Sequence, residues 1–158
     1  ELQSEENMIL CWKFYFDGQG YAQKDEIAQV RKYHKNPNMW DYFLRTRIAV
    51  DRLEDLLDEK EGDLDKVQML FADMEEREEA WKELEREGVF ELVGSLQYNI
   101  EINAVGVNKG TGLVNLGKML GIRREEIMAC GDGDNDIAML KKLDLGLPWR
   151  MPKKRSKL

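Results

Sequence analysis

Gly131-Asp132-Gly133-Asp134-Asn135-Asp136 places three carboxylates and an amide within five residues, directly after the apolar run Ile127-Met128-Ala129-Cys130. Like charges this close repel unless a cation or a lysine neutralises them. The carboxylates offer the hard oxygen ligands that suit Mg²⁺, and the glycines let the backbone turn tightly and approach a ligand. A short apolar strand, an acidic Gly-rich turn and then a helix over Ile137–Leu143 is the layout of a ligand site at a sheet edge. The same residues also fit a plain helix start, with Asp134 or Asn135 as N-cap. The turn alone leaves both readings open.

Some twenty residues upstream stands Val105-Gly106-Val107-Asn108-Lys109-Gly110-Thr111-Gly112-Leu113, an apolar strand end running into an amphipathic stretch, Leu113–Leu120. Lys109 then sits at a helix N-terminus, where backbone N–H groups and the helix dipole favour anions. A lysine there opposes the dipole, so an anionic partner explains it better than helix design does. Strand, lysine, helix, strand, acidic turn and helix together read as a βαβ unit with both chemical turns at the carboxyl ends of its strands.

Asn108-Lys109-Gly110-Thr111-Gly112-Leu113 followed by Gly131-Asp132-Gly133-Asp134-Asn135-Asp136-Ile137-Ala138-Met139-Leu140 resembles the third and fourth motifs of the haloacid dehalogenase-like hydrolases, in particular the Cof-type (subfamily IIB) phosphatases. The resemblance covers 105–146. It implies an α/β fold and Mg²⁺-dependent hydrolysis of small phosphorylated metabolites such as sugar phosphates. By it, Lys109 holds the substrate phosphate, Asn135 contacts that phosphate, Asp132 ligates Mg²⁺, and Asp136 orients Lys109 or the metal shell. Such chemistry draws most of its catalysis from positioning and charge neutralisation.

The chain departs from the family pattern at both ends. The family's nucleophile lies in an Asp-x-Asp-Gly motif, and no such motif occurs here; the nearest stretch is Phe14-Tyr15-Phe16-Asp17-Gly18-Gln19-Gly20-Tyr21, with Gln19 in the acid/base position. Asp-Gly between two apolar runs is also a strong hairpin signal. The expectation is an N-terminally truncated chain, inactive by itself because a covalent aspartyl-phosphate route needs its nucleophile. At the other end, Pro148-Trp149-Arg150-Met151-Pro152-Lys153-Lys154-Arg155-Ser156-Lys157 can be encoded one nucleotide out of phase with Ala-Val-Ala-Asn-Ala-Gln-Glu-Glu-Val-Lys, the continuation the family leads one to expect. A frameshift near Leu147 is therefore expected, and it offers another origin for the peroxisome-like Ser156-Lys157-Leu158 ending. The rival to a phosphatase fragment is a non-catalytic module that binds phosphate or Mg²⁺, or an interaction piece.

These motifs need a scaffold, and the remaining residues outline one. Met8–Phe16 reads as an aromatic strand with its hairpin partner at Gly20–Gln23, Asp25–His34 as a helix, Asn36–Trp40 as a loop, and Ile48–Glu59 as a helix through Val50, Leu53, Leu56 and Leu57. Lys66–Ala72 reads as a strand, Glu75–Arg86 as a charged helix closed by Gly88, and Phe90–Val93 and Leu96–Ile102 as strands. By element order, 1–103 resembles the α/β cap of the Cof-type proteins and 104–158 the C-terminal piece of their Rossmann-like core. Asp17, Gln19 and Tyr21 are guesses for cap residues near substrate. Core strands without their usual neighbours predict exposed edges and self-association.

Charge narrows the partners. Residues 51–91 carry seventeen acids against six bases, in a chain of formal net charge −7. That sign speaks against nucleic acid. No apolar run approaches a membrane span and no signal peptide is read. Cys11 and Cys130 read as buried free thiols of a reducing compartment, so a cytoplasmic location is expected. His34 stands alone in a polar helix, which speaks against zinc.

Overall fold

The computed structural model describes residues 10–34, 36–60 and 64–148; the start of the first expected strand and the tail from Trp149 onward lie outside them. Strand β1 (Leu10–Phe16) is aromatic-rich, as strands favour, and turns through Asp17 and Gly18 into β2 (Gln19–Gln23). Phe16 faces Gln19 across a two-residue loop whose φ angles are 50° and 72°, the left-handed pair a tight primed hairpin requires. Asp17 thus lies at a hairpin turn.

Residues 24–46 then cross over. The expected single helix is two short ones, α1 (Lys24–Ala28) and α2 (Val30–Tyr33), and the expected loop is largely helix α3 (Asn38–Thr46). Strand β3 (Arg47–Val50) follows, pairing parallel with β2, and only Glu54–Glu59 forms the helix α4. The spacing of Val50, Leu53, Leu56 and Leu57 is helical by coincidence. Val50 belongs to a strand because the open edge of β2 offers backbone partners, while Leu53 and Leu56 pack with it against Phe16.

Strand β4 (Leu64–Phe71) pairs antiparallel with β1, and α5 (Met74–Glu87) follows, capped by Asp73 and ended by Gly88 at φ 67°. Strands β5 (Phe90–Val93) and β6 (Asn99–Ala104) complete a six-stranded sheet of order β3-β2-β1-β4-β6-β5. Strand β6 starts later than expected because the buried Asn99 side chain accepts the Ser95 and Leu96 backbone N–H groups, at 3.1 and 2.8 Å, and holds them in a turn. It ends at Ala104, so Val105–Val107 is a turn through Gly106 at φ 80°, where a core strand was expected. Beyond lie α6 (Lys109–Met119), β7 (Met128–Gly131), α7 (Ile137–Lys142) and β8 (Leu145–Pro148); β7 and β8 form a separate parallel pair around α7. The βαβ unit is therefore β7-α7-β8, since β6 belongs to the larger sheet.

Alternation along β1 sorts the larger sheet into two faces. Trp12, Phe14 and Phe16 share the face on which Met69, Phe71 and Ile100 pack against Ala80, Trp81 and Leu84 of α5. Cys11, Lys13 and Tyr15 share the other, where Tyr33 and Leu70 close over Cys11. Lys13 is only 1% exposed there, its Nζ 3.2 Å from His34 Nε2 and 4.2 Å from the centre of the Phe43 ring. His34, expected to be a lone polar-helix residue, is buried, and its Nδ1 lies 3.2 Å from Tyr98 Oη. Burial, reinforced by the charges of Lys13 and Arg47, holds His34 down at about 4, and burial lowers Lys13 to about 7.

A base whose folded pKa is depressed lends stability that is complete above its unfolded pKa and lost as pH falls through the folded one. For Lys13 that window runs from 10.5 down to about 7. Cys11, which burial pushes up to about 12, opposes it only above the ordinary thiol value of 9.0. Urea denaturation should therefore show stability rising from pH 7 to pH 9 by up to about 1.4 kcal/mol per pH unit. Lys13→Met should flatten that slope and be the more stable protein at pH 7. Equal slopes in the two proteins would contradict a buried, readily deprotonated Lys13.

Candidate functional site

Helix α6 begins where the sequence analysis placed Lys109. Asn108 caps it, Oδ1 accepting the Thr111 N–H at 3.0 Å, while Nδ2 donates to Glu91 Oε1 at 3.2 Å and ties the helix start to the larger sheet. The residue after Lys109, Gly110, is a glycine for a steric reason. A Cβ on Gly110 would stand 2.6 Å from the carbonyl oxygen of Ala138, so α6 and α7 touch backbone to backbone at this point. That contact brings Lys109 and Asp136 together from 27 residues apart, with Nζ 2.6 Å from Oδ1.

Asp136 does most of the local organising. Its Oδ2 accepts the N–H groups of Asp132 and Gly133, each at 3.1 Å, while Oδ1 takes the lysine. Burial pushes this carboxyl up, but the bonds from Lys109, Gly133 and Asp132 outweigh it and hold the group below its usual range. The turn's remaining residues form one 3₁₀ turn, Asp134–Asp136, and neither it nor α7 receives a side-chain cap. The acidic turn is thus folded around Asp136 as an acceptor, and Asp134 and Asn135 do not cap the helix.

Asp132 and Asp134 are exposed, and Asn135 is half-buried with Oδ1 placed against Gly133. No hydrogen bond or ion pair joins Asn135 to Lys109 among the described residues. Cys130, expected to be buried, is exposed, because among the described residues β7 has only β8 beside it.

The donor set fits Mg²⁺ in a restricted way. Asp136 is occupied by Lys109 and two N–H groups, which leaves Asp132, directly after the strand, and Asp134, two residues further on, as exposed carboxylates. No three His, Cys, Asp or Glu side chains converge as a metal cage among the described residues. Mg²⁺ commonly sits on one or two carboxylates with phosphate and water completing the shell, so these open carboxylates are compatible with that mode and with no all-protein cage.

A second constellation was not singled out from sequence. A cleft of about 790 Å³ lies on the polar face of the larger sheet, lined by Lys13, Tyr15, Arg47, Lys66, Gln68 and Glu101 among others. Of the three guesses for this unit, Gln19 lines the cleft, while Tyr21 packs edge-on against Phe16 with ring centres 5.9 Å apart, in the cluster on the opposite face. The missed signal was in the strands themselves: Lys13 and Tyr15 alternate with Trp12 and Phe14, as polar and apolar faces of one strand must.

Comparison with known proteins places these features. A family model described as haloacid dehalogenase-like hydrolase matches residues 2–148. The 5-amino-6-(5-phospho-D-ribitylamino)uracil phosphatase YcsE of Bacillus subtilis is 42% identical over 71 residues, 45% of this chain and 28% of its own length. Among solved structures, a haloacid dehalogenase-like hydrolase from B. subtilis superposes with a TM-score of 0.68 at 22% identity, over 88% of this chain and 54% of that one. The subclass IIB sugar phosphatase BT4131 does so at 0.61 and 19%, over 89% of this chain and 49% of that one. The chain thus spans about half the length of these structures and less of the curated relative.

The turn's energetics are unequal across the ion pair. The Lys109 side chain is 51% exposed and that of Asp136 10%. Asp136→Asn should cost about 1–3 kcal/mol, since it weakens bonds to two N–H groups and the lysine at once. Lys109→Met should cost under about 1 kcal/mol, because a half-exposed pair is screened and Asp136 keeps its backbone donors. Chemical denaturation of both variants checks the order, and a costlier lysine change would contradict it.

Proposed function

The chain belongs to the haloacid dehalogenase-like hydrolases, and from that premise we propose that it supplies the phosphate-clamping and metal-holding part of a Mg²⁺-dependent phosphatase for small phosphorylated metabolites. One observation carries this reading: Lys109, at the first position of a helix, is held 2.6 Å from a carboxylate whose other oxygen orders the acidic turn. An ammonium fixed at a helix N-terminus sits where the helix dipole already favours anions, which suits a phosphate. Asp136 limits the positions its Nζ can take. Asn135 serves as a neutral contact to the phosphate, and Asp132 as the chain's ligand to Mg²⁺. When bound, the ion would supply charge neutralisation at the phosphoryl oxygens.

In this proposal residues 1–103 form the cap that closes over the substrate and 104–158 a C-terminal piece of the core, working in the cytoplasm. The nucleophilic Asp-x-Asp-Gly segment comes from outside these 158 residues, which contain no such motif. The apolar surface supports that division. Leu116, Met119, Leu120, Ile122, Met128, Leu145 and Leu147 of the α6–β8 region are exposed, a surface that the rest of a core would bury. Left uncovered, it favours self-association.

The test is complementation. The chain alone should show only background hydrolysis of an aryl phosphate with Mg²⁺, and light scattering should find it larger than a monomer. Co-expression with a relative's Asp-x-Asp-Gly segment should restore turnover, and Lys109→Ala should then lower it by at least about 100-fold. Robust hydrolysis by the chain alone, or a restored activity indifferent to Lys109, would overturn the proposal.

A further inference from the structure

The cleft on the polar face of the larger sheet has a sign opposite to the protein as a whole. Lys13, Arg45, Arg47 and Lys66 line it against one acid, Glu101, in a chain of net charge −7. Glu101 is spoken for: its carboxylate accepts Lys66 Nζ at 3.1 Å, Gln68 Nε2 at 3.3 Å, Ser95 Oγ at 2.5 Å and Asn99 Nδ2 at 3.3 Å. None of the ion pairs among the described residues uses Lys13, Arg45 or Arg47. Arg45 and Arg47 therefore bring to the cleft positive charge that no carboxylate among the described residues pairs with, while burial leaves Lys13 readily deprotonated.

Arg47 is the fixed member of the set. Gly20 lies opposite it in the β2–β3 ladder, and a Cβ there would stand 2.8 Å from Arg47 Cδ and 2.9 Å from Nε, so the side chain lies across bare backbone. Its guanidinium is 5.2 Å from the Tyr15 ring centre and 5.6 Å from those of both Tyr42 and Phe43. Nη2 donates to Tyr15 Oη at 2.9 Å and Nη1 to Thr46 Oγ1 at 2.8 Å. Nε–H is buried and has no acceptor among the described residues. A cation this firmly placed, with no carboxylate beside it among the described residues, is preorganised for an anion. Nη2 carries a second N–H beyond the one given to Tyr15, and a guanidinium is the side-chain group best suited to bind a carboxylate or phosphate.

We propose that this cleft is an anion subsite in which Arg47, backed by Arg45, holds a carboxylate or second phosphate on the part of the substrate remote from the phosphate at Lys109. The substrate class is then a phosphate monoester carrying another anionic group. This rests on the phosphatase reading for the word substrate, while the anion site itself stands on the cleft alone.

Binding to the 158-residue chain without Mg²⁺ tests it, by calorimetric titration with inorganic phosphate and, separately, with succinate. At least one should bind with Kd below about 10 mM. Arg47→Gln should weaken it at least about tenfold. Gly20→Ala, which displaces the guanidinium with no change of charge, should do the same while circular dichroism shows the fold kept. Lys109→Ala should leave succinate binding unchanged, and should remove only that part of the phosphate binding which Arg47→Gln leaves. Tighter succinate assigns a carboxylate and tighter phosphate a second phosphoryl group. Binding lost in Lys109→Ala but kept in Arg47→Gln overturns the subsite and leaves the phosphatase reading standing. Complete loss of binding in each of the two single variants overturns it as a separate site, as does binding of neither probe or binding indifferent to Gly20→Ala.

Discussion

A carboxylate taken out of water has to be given partners, and Asp136, 7% exposed, receives three: one ammonium and two backbone N–H groups. Each partner fixes something else. The N–H bonds to Asp132 and Gly133 curl the strand end back on itself, which leaves the Asp132 carboxylate open on the surface. The lysine bond spans from one helix start to the other and works only if α6 and α7 meet at Gly110 and Ala138, where any side chain on the glycine would collide. The acidic turn, the lysine and the helix packing are therefore one mechanical unit organised by a single buried charge.

The larger sheet solves a different problem. One face is conventional, with aromatic and aliphatic side chains under α5 and α4. The other carries Lys13, Gln68, Asn99 and Glu101, all of which must find partners at a place where strands supply none. Glu101 and Asn99 satisfy each other and the Ser95–Leu96 turn, whereas Lys13 leans on an imidazole and an aromatic ring. A sheet built only for stability would have little use for such a face. Polarity concentrated at a cleft is what a recognition surface requires.

Much of this was legible in the residues, and what was not has identifiable causes. Asp73 and Gly88 delimit α5 through local chemistry, and Asp17-Gly18 sets the hairpin, so those elements stand where the sequence put them. The misread stretches depended on distant partners. Arg47–Val50 is a strand only because β2 has a free edge, and Val105–Val107 is not one because Gly106 turns away and Glu91 bonds its N–H. Lys109 and Asp136 could be paired from sequence through the family resemblance, but their bond geometry could not. The cleft was invisible because its residues come from β1, β3, β4 and β6, and no short motif joins them.

The order of strands also has a kinetic side. Strand β1 pairs with β2 across a two-residue turn, yet its other neighbour is β4, with Leu10 opposite Phe71. Closing so long a loop is entropically modest, growing only with the logarithm of its length, but the partner has to exist first. A ribosome adding roughly 5–20 residues per second delivers Phe71 some 3–12 seconds after Leu10. Through that interval β1 lacks the partner for its other edge, and the side of Trp12 that α5 later covers stays open. Lys13, which the finished sheet takes out of water, keeps the early hairpin charged while it waits, and a charge within an aromatic strand is a guard against pairing with a neighbouring chain.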